Sequence, residues 1–434
     1  KGNLLRSRYF VNLSETQGWF TGGRLNTKHD ERASGLAQDE QKFRGRSAAA
    51  LLAPFVGLAV PVGAVLVALS LGAVMLLTLG ANPITGYAAL IDGAFGGWDE
   101  LADTSIKAMP LLLVGVGICI AFRAGVINIG GEGQIIAGAI ASTVVALVLP
   151  DVSRILLVPL VLVGGAIGGG LWGAIPGVLK AYAGVNEILS TIMMNLVAAQ
   201  FLSFLLQDLL TDKASGAIKI QQTERLSANA DLPLLPGDTR LHLGVMIAIL
   251  IAVLGHILLF RSALGVRLRA VGHNADASRY AGMPVKKSIV QALAFSGACA
   301  GVAGAVLVFG SESHRLIAEG GASGFTQSAG FNGIVAALFG GLSPLAVVPA
   351  SFFFGGMLTG GISLQQELQV PAALIVALNG IVVLFVVGSL KLQTRLRSWA
   401  QGAGSGSLRG SESPPSDHAP QPADSVAISE ASDG

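Results

Sequence analysis

The sequence predicts an all-α, polytopic integral membrane protein. Two compositional facts and one pattern lead there. Hydrophobic residues make up 52% of the 434 residues and charged residues only 12%, where a soluble domain carries roughly 25% charge. Apolar runs of helix length then recur from Ala49 to Leu390. They are continuous rather than alternating over roughly ten-residue segments, so helices and not a closed barrel are expected. A chain with so few charges cannot wet a large globule. A soluble enzyme, a nucleic-acid binder and a disordered protein are all excluded; the lipid bilayer is a partner and nucleic acid is not.

The runs follow in order. Ala49–Leu79 has no charge, and a helix needs about 20 apolar residues to cross a bilayer. Lys107–Phe122, Gln134–Leu149, Ile155–Leu179, Glu187–Leu206, Leu241–Phe260, Ser288–Phe309, Phe325–Leu342, Leu345–Ile362 and Val370–Leu390 come next. From Gly320 to Leu390 the sole charged residue is Glu367. With alternation between the loops, these runs suit about ten crossings.

Charge fixes the orientation. Arg261, Arg267, Arg269, Arg279, Lys286 and Lys287 share one loop with a single acid, Asp276. By the positive-inside rule that loop is cytoplasmic. Arg44 and Arg46 before the first run, and Lys391, Arg395 and Arg397 after the last, put both termini on the same side. Ala81–Ser105 and Thr211–Arg240 read as external loops. Residues 1–46 are a polar N-terminal extension, expected to be disordered and without the apolar core of a signal peptide. Residues 47–400 are the transmembrane domain, and 401–434 have the Ser-, Pro- and Gly-rich composition of a disordered cytoplasmic tail.

Inside the runs, glycine and isolated polar residues stand out. Gly164, Gly165, Gly168, Gly169, Gly170, Gly173 and Gly177 share one run, which suits close helix packing or a hinge. Ala121 to Gln134 interrupts an apolar stretch with four glycines around Asn128, Glu132 and Gln134. Such glycine density disfavours helix, leaving either a short cytoplasmic loop or a broken helix at membrane depth. A second Gly-rich interruption spans Gly320–Gly333 and Gly340–Pro344. Paired interruptions in the two halves point to a central binding region. Isolated polar residues within spans are Asn195, Gln200 and Asn379, with Glu367 the lone acid of its region, and Asn332 lies in the second interruption. Asn128, Glu132, Gln134, Asn195, Asn332 and Asn379 are the candidate substrate path, and their mostly neutral character suits an uncharged hydrophilic solute.

The basic loop contains a short helix signal. Asn274 is an N-cap, Asp276 sits in the first turn, Gly282 suits the left-handed position after the last turn, and Pro284 stops it. Asn274, Asp276, Arg279, Tyr280 and Gly282 are the candidate coupling surface. The sequence holds no G-x-x-x-x-G-K-[ST] loop, no HExxH and no G-x-S-x-G in a usable context. Cys119 and Cys299 lie in apolar runs, and the six histidines show no metal-ligand spacing. The chain is therefore read as no enzyme, and energy for active transport comes from another subunit or an ion gradient.

Four ordered segments carry a resemblance: AFRAGVINIGGEGQ (121–134), GVNEILSTIMMN (184–195), LRAVGHNADASRYAGMPV (268–285) and GFNGIVAALFGGLSPLAV (330–347). Together they closely resemble the permease subunit of bacterial ABC importers for nucleosides and simple sugars, within the ribose- and branched-chain-amino-acid-type permease superfamily. The resemblance covers roughly Leu51 to Gln393. It implies a plasma-membrane protein that pairs with a second, homologous or identical permease and with cytoplasmic ABC ATPase subunits. It also implies an extracytoplasmic substrate-binding lipoprotein. ATP and Mg would be bound by the ATPases, with no cofactor in this chain, and Asn274–Ala281 would be the coupling helix. A stand-alone, ion-coupled secondary transporter is the alternative. The polar extension and the polar pair Gln327 and Ser328 depart from the family pattern.

Overall fold

The computed structural model describes residues 63–389, apart from 208, 212–220, 237–238, 312, 319–323 and scattered positions from 372 to 387. Asn379, the N-terminal extension and the C-terminal tail lie outside the described residues. The helices are α1 (Gly63–Thr78), α2 (Pro83–Phe95), α3 (Trp98–Arg123), α4 (Gly131–Val148), α5 (Arg154–Ala183) and α6 (Glu187–Gln207). They continue with α7 (Gly244–Arg261), α8 (Ala263–His273), α9 (Ala275–Tyr280), α10 (Val285–Phe309), α11 (Ala329–Phe339) and α12 (Pro344–Leu368). Among the described residues the only β pairing is two isolated bridges, Gln222 with Ile317 and Leu234 with His242.

Seven of these helices are long and apolar enough to cross a membrane, or eight if α1 and α2, bent by 119°, count as one span. The expected count of about ten is not reached, for identifiable reasons. The run Phe325–Leu342 yields only α11, whose 11 residues rise about 16 Å, half a bilayer core. The runs at the two ends of the apolar domain extend beyond the described residues. Ala81–Ser105 is not a loop either. Asn82 Oδ1 accepts from the Ile84 N–H at 2.9 Å and Pro83 opens α2, while Asp99 and Glu100 sit at the positive end of α3.

α3 is the central helix. Every residue from Met109 to Ala121 is buried, and α3 packs against α2, α7, α10, α11 and α12. The most intimate packing lies beside it, among α4, α5 and α10. A Cβ on Gly301 would strike the Gly165 carbonyl, and one on Gly297 the Gly169 carbonyl, so α5 and α10 meet backbone to backbone. Gly138 of α4 packs on Gly301 in the same way. In lipid, association rests on such close van der Waals approach rather than on hydrophobic exclusion. The glycines of α5 are therefore packing positions. The outer sides of α5, α6 and α7 carry exposed Ile155, Leu171, Leu189, Leu196, Phe204 and Leu250, as lipid contact requires.

One end of the bundle, its basic end, carries Arg123, Lys180 and Lys286. The Arg123 guanidinium lies 5.7 Å from the Phe260 ring, Lys286 lies 5.1 Å from the Tyr182 ring, and Lys180 pairs with Glu187 at 2.8 Å.

The α5–α10 contact makes a direct prediction. Gly301→Val should destabilise the bundle by about 1–3 kcal/mol, the usual range for overpacking. Gly63→Ala, where an added Cβ meets nothing within 4 Å, should be neutral. Thermal unfolding of the detergent-solubilised protein reads the difference.

Candidate solute path and coupling surface

The first glycine interruption is a real break, buried at alternate positions, with Gly125 and Ile127 exposed. α3 ends at Arg123, α4 starts at Gly131, and Ala124, Val126, Asn128 and Gly130 between them are buried. Gly125 takes φ +74°, which turns the chain at the end of α3. A helix start in such surroundings needs partners for its free N–H groups. Gly130 and Gly131 have no side chains to offer, so more distant residues supply them. Asn128 Oδ1 accepts from the Gly130 N–H at 2.9 Å, and Asn195 Oδ1 of α6 accepts from the Gly133 N–H at 2.8 Å. Asn195 Nδ2 returns a bond to the Ile129 carbonyl at 3.0 Å. Asn128 Nδ2 donates to Gln134 Oε1 at 2.9 Å and to Ser296 Oγ of α10 at 2.8 Å.

The second interruption meets the first. Glu132 Oε1 accepts from the backbone N–H groups of Gly330 and Phe331 at 2.9 and 3.3 Å, at the start of α11. Gly330 packs on the Gly131–Glu132 backbone so closely that a Cβ there would overlap it. The paired interruptions are thus joined. Of the sequence-selected path residues, Asn128, Glu132, Gln134 and Asn195 come together in this knot, directed at the break itself. Asn332 sits half-buried in the first turn of α11.

Two adjoining cavities lie toward the end of the bundle away from the basic residues, and both are lined by Ile106, Lys107, His242, Gly310 and Ser311. The inner one, ≈ 240 Å³, runs past Pro110 of α3 to Phe325, Thr326 and Gln327 before α11. The outer one, ≈ 900 Å³, is walled by Asp103, Arg154, Asp231, Arg240 and His314. Lys107 Nζ donates to Gln327 Oε1, and His314 Nδ1 lies 2.8 Å from Asp231 Oδ1. His242 Nδ1 accepts from the Gly244 N–H at 3.2 Å, so the neutral ring carries its proton on Nε2. Gly244 and Gly310 leave room for that ring: a Cβ on either would come within 2.7 Å of it. Burial holds the His242 pKa below the ordinary imidazole value. Lys107 and His242 were passed over in the sequence because each sits at the edge of an apolar run. Gln327 was visible there only as an odd polar residue.

At the basic end, the short helix forms as its residues dictate. Asn274 Oδ1 caps α9 by accepting from the Ala277 N–H at 2.9 Å, and Asp276 pairs with Arg279 at 3.1 Å. Gly282 has φ +76°, and the Met283 N–H closes the turn onto the Ser278 carbonyl at 2.9 Å. Tyr280 is 94% exposed. An aromatic side chain held so far out on a six-residue helix suits docking to a partner. Behind it, Gly272 of α8 lies against the backbone of Arg123–Gly125.

The family model described as branched-chain amino acid transport system / permease component matches residues 101–387. The chain belongs to this permease family. It is 37% identical over 336 residues to the guanosine ABC transporter permease protein NupP of Bacillus subtilis, spanning 77% of this chain and 94% of that one. The nucleoside ABC transporter permease protein NupB of Lactococcus lactis is 32% identical, over 78% and 92% of the two chains. The glucose ABC transporter permease protein TsgB13 of Haloferax volcanii is 31% identical, over 76% and 87%. No solved structure matches. The apolar helices and the family together make the permease a multi-pass membrane protein.

His242 gives the permease a pH-dependent wall. Protonating it charges a buried ring, so the unfolded chain takes up that proton more readily. Stability is then full above the ordinary imidazole value of about 6.5 and declines as pH falls below it toward the depressed folded value. The unfolding temperature should drop between about pH 7 and 5. His242→Asn, which keeps an acceptor for Gly244, should flatten that slope. Separately, Asn195→Leu should cost about 1–3 kcal/mol by stranding the Gly133 N–H, measurable by thermal unfolding at neutral pH.

Proposed function

We propose that this permease is the membrane-spanning subunit of an ATP-driven importer for a nucleoside or simple sugar, with a purine nucleoside favoured. The observation that carries this is the 37% identity to a guanosine permease along 94% of its length. The solute path runs through the two cavities. In the inner one Lys107, Gln327, His242 and Ser311 offer donors and acceptors beside apolar walls, and the outer one adds acidic and basic groups at Asp103, Arg154, Asp231 and Arg240. Such a mixture suits a neutral solute with a flat ring and several hydroxyls. The knot of Asn128, Glu132, Gln134 and Asn195 forms the base of that path, and Asn332 is carried beside it on α11. Asn379 remains a path residue on sequence grounds.

In this reading the basic end is cytoplasmic, as are both termini. Asn274, Asp276, Arg279, Tyr280 and Gly282 present α9 to ABC ATPase subunits, which bind ATP and Mg; this chain performs no chemistry. A second permease, identical or homologous, completes the assembly in the inner membrane, and an extracytoplasmic binding lipoprotein delivers the solute.

Vesicles holding the permease, its ATPase and its receptor should accumulate guanosine only while ATP is hydrolysed. Gly282→Pro, which cannot take φ +76°, and Arg279→Glu should insert normally yet lose ATP-coupled uptake. Accumulation against a gradient by the permease alone, without ATP hydrolysis, would overturn the proposal.

A further inference from the structure

α11 is gripped at both ends by residues that flank the same break. Glu132, just after the break, accepts the N–H groups of Gly330 and Phe331 at the start of α11. Arg123, just before it, donates from Nε to the Leu342 carbonyl at 3.1 Å and from Nη2 to the Gly341 carbonyl at 3.4 Å. Those carbonyls belong to the turn that ends α11, where Gly341 and Leu342 both have positive φ. The acid thus sits at the positive end of the helix dipole and the base beyond its negative end, the favourable arrangement at each. Between the two grips, Gly333 lies against Val114 of α3 without room for a Cβ.

The break also has an input and α11 an output. Gly272, two residues before the Asn274 cap of α9, rests on the backbone of Arg123–Gly125; a Cβ on it would overlap the Arg123 carbonyl. No compressible side chain separates α8 from the break. At the other end, Phe325, Thr326, Gln327 and Ala329, which lead into α11, wall the inner cavity, and Gln327 accepts from Lys107.

We propose that Arg123 and Glu132 are positioning residues that make α11 the output element of the coupling surface. A push on α9 enters the break through Gly272 and Gly125. The two grips then convert it into a shift of α11 that reshapes the cavity wall at Phe325–Gln327. The inference rests on the importer reading above and deepens it. Spatial continuity alone does not establish coupling, so the test must read energy and displacement rather than proximity.

The experiment uses the full assembly in vesicles and measures guanosine moved per ATP hydrolysed. Both quantities are measured per purified permease–ATPase complex, so loss of folded permease leaves the ratio intact and the ratio isolates a coupling role. Glu132→Leu and Arg123→Leu should each lower it roughly tenfold, within the span of ordinary inter-site couplings. Glu132→Gln and Arg123→Lys should recover part of the loss. Spin labels at Phe331 and at Ile155, both exposed, should show a distance change when ATP is trapped in the parent assembly and none in Glu132→Leu. If the Leu variants do not insert, the conservative pair decides by the same two readouts. An unchanged ratio, or a persisting displacement, in inserted variants overturns the inference while coupled uptake by the parent upholds the importer reading. Absence of ATP-coupled uptake in the parent overturns both.

Discussion

A chain break packed among helices leaves backbone groups that need partners from within the protein, and the interior of this permease is organised around meeting that demand at residues 124–130. Each buried N–H there costs about 1–3 kcal/mol if left without a partner. Side chains from two other helices take part: Asn195 and Thr191 of α6 accept backbone N–H groups of Gly133 and Ile129, and Ser296 of α10 accepts from the Asn128 side chain. Glu132 then extends the same principle outward, serving the free N–H groups of α11. The polar residues at the break are therefore structural first. Their positions relative to one another are fixed by hydrogen bonds, which fixes the orientation of four helices around one point.

This arrangement separates two tasks along the bundle axis. Near the basic end the structure offers exposed, charged and aromatic side chains on a short capped helix. Near the other end it offers cavities with a few convergent polar groups. The break runs from the basic end, where Gly272 rests on Arg123–Gly125, to Glu132, whose carboxylate holds the start of α11.

Much of this was legible in the sequence. The apolar runs located α4, α5, α6, α7, α10 and α12 closely, since a span needs a continuous apolar stretch whatever it packs against. The short helix α9 was legible residue by residue, because Asn274, Gly282 and Pro284 act through local backbone chemistry. Two features were not. α11 looked like a span because composition does not show where backbone turns; Gly340–Leu342 end it through a left-handed pair that includes a leucine. The cavity residues Lys107 and His242 were hidden because their partners, Gln327 and Gly244, are assigned by three-dimensional neighbourhood or by a ring tautomer. The joining of the two interruptions was suggested by their pairing, but Glu132 as the joint was not, since a lone acid carries no mark of its acceptor role.

The backbone contact of α5 with α10 has a mechanical consequence. Where carbonyl rests on Cα with no intervening methyl or methylene, there is nothing soft to deform, and no rotamer change can absorb a displacement. α5 and α10 are thereby held as one stiff unit, and any relative motion of helices falls to contacts that side chains mediate.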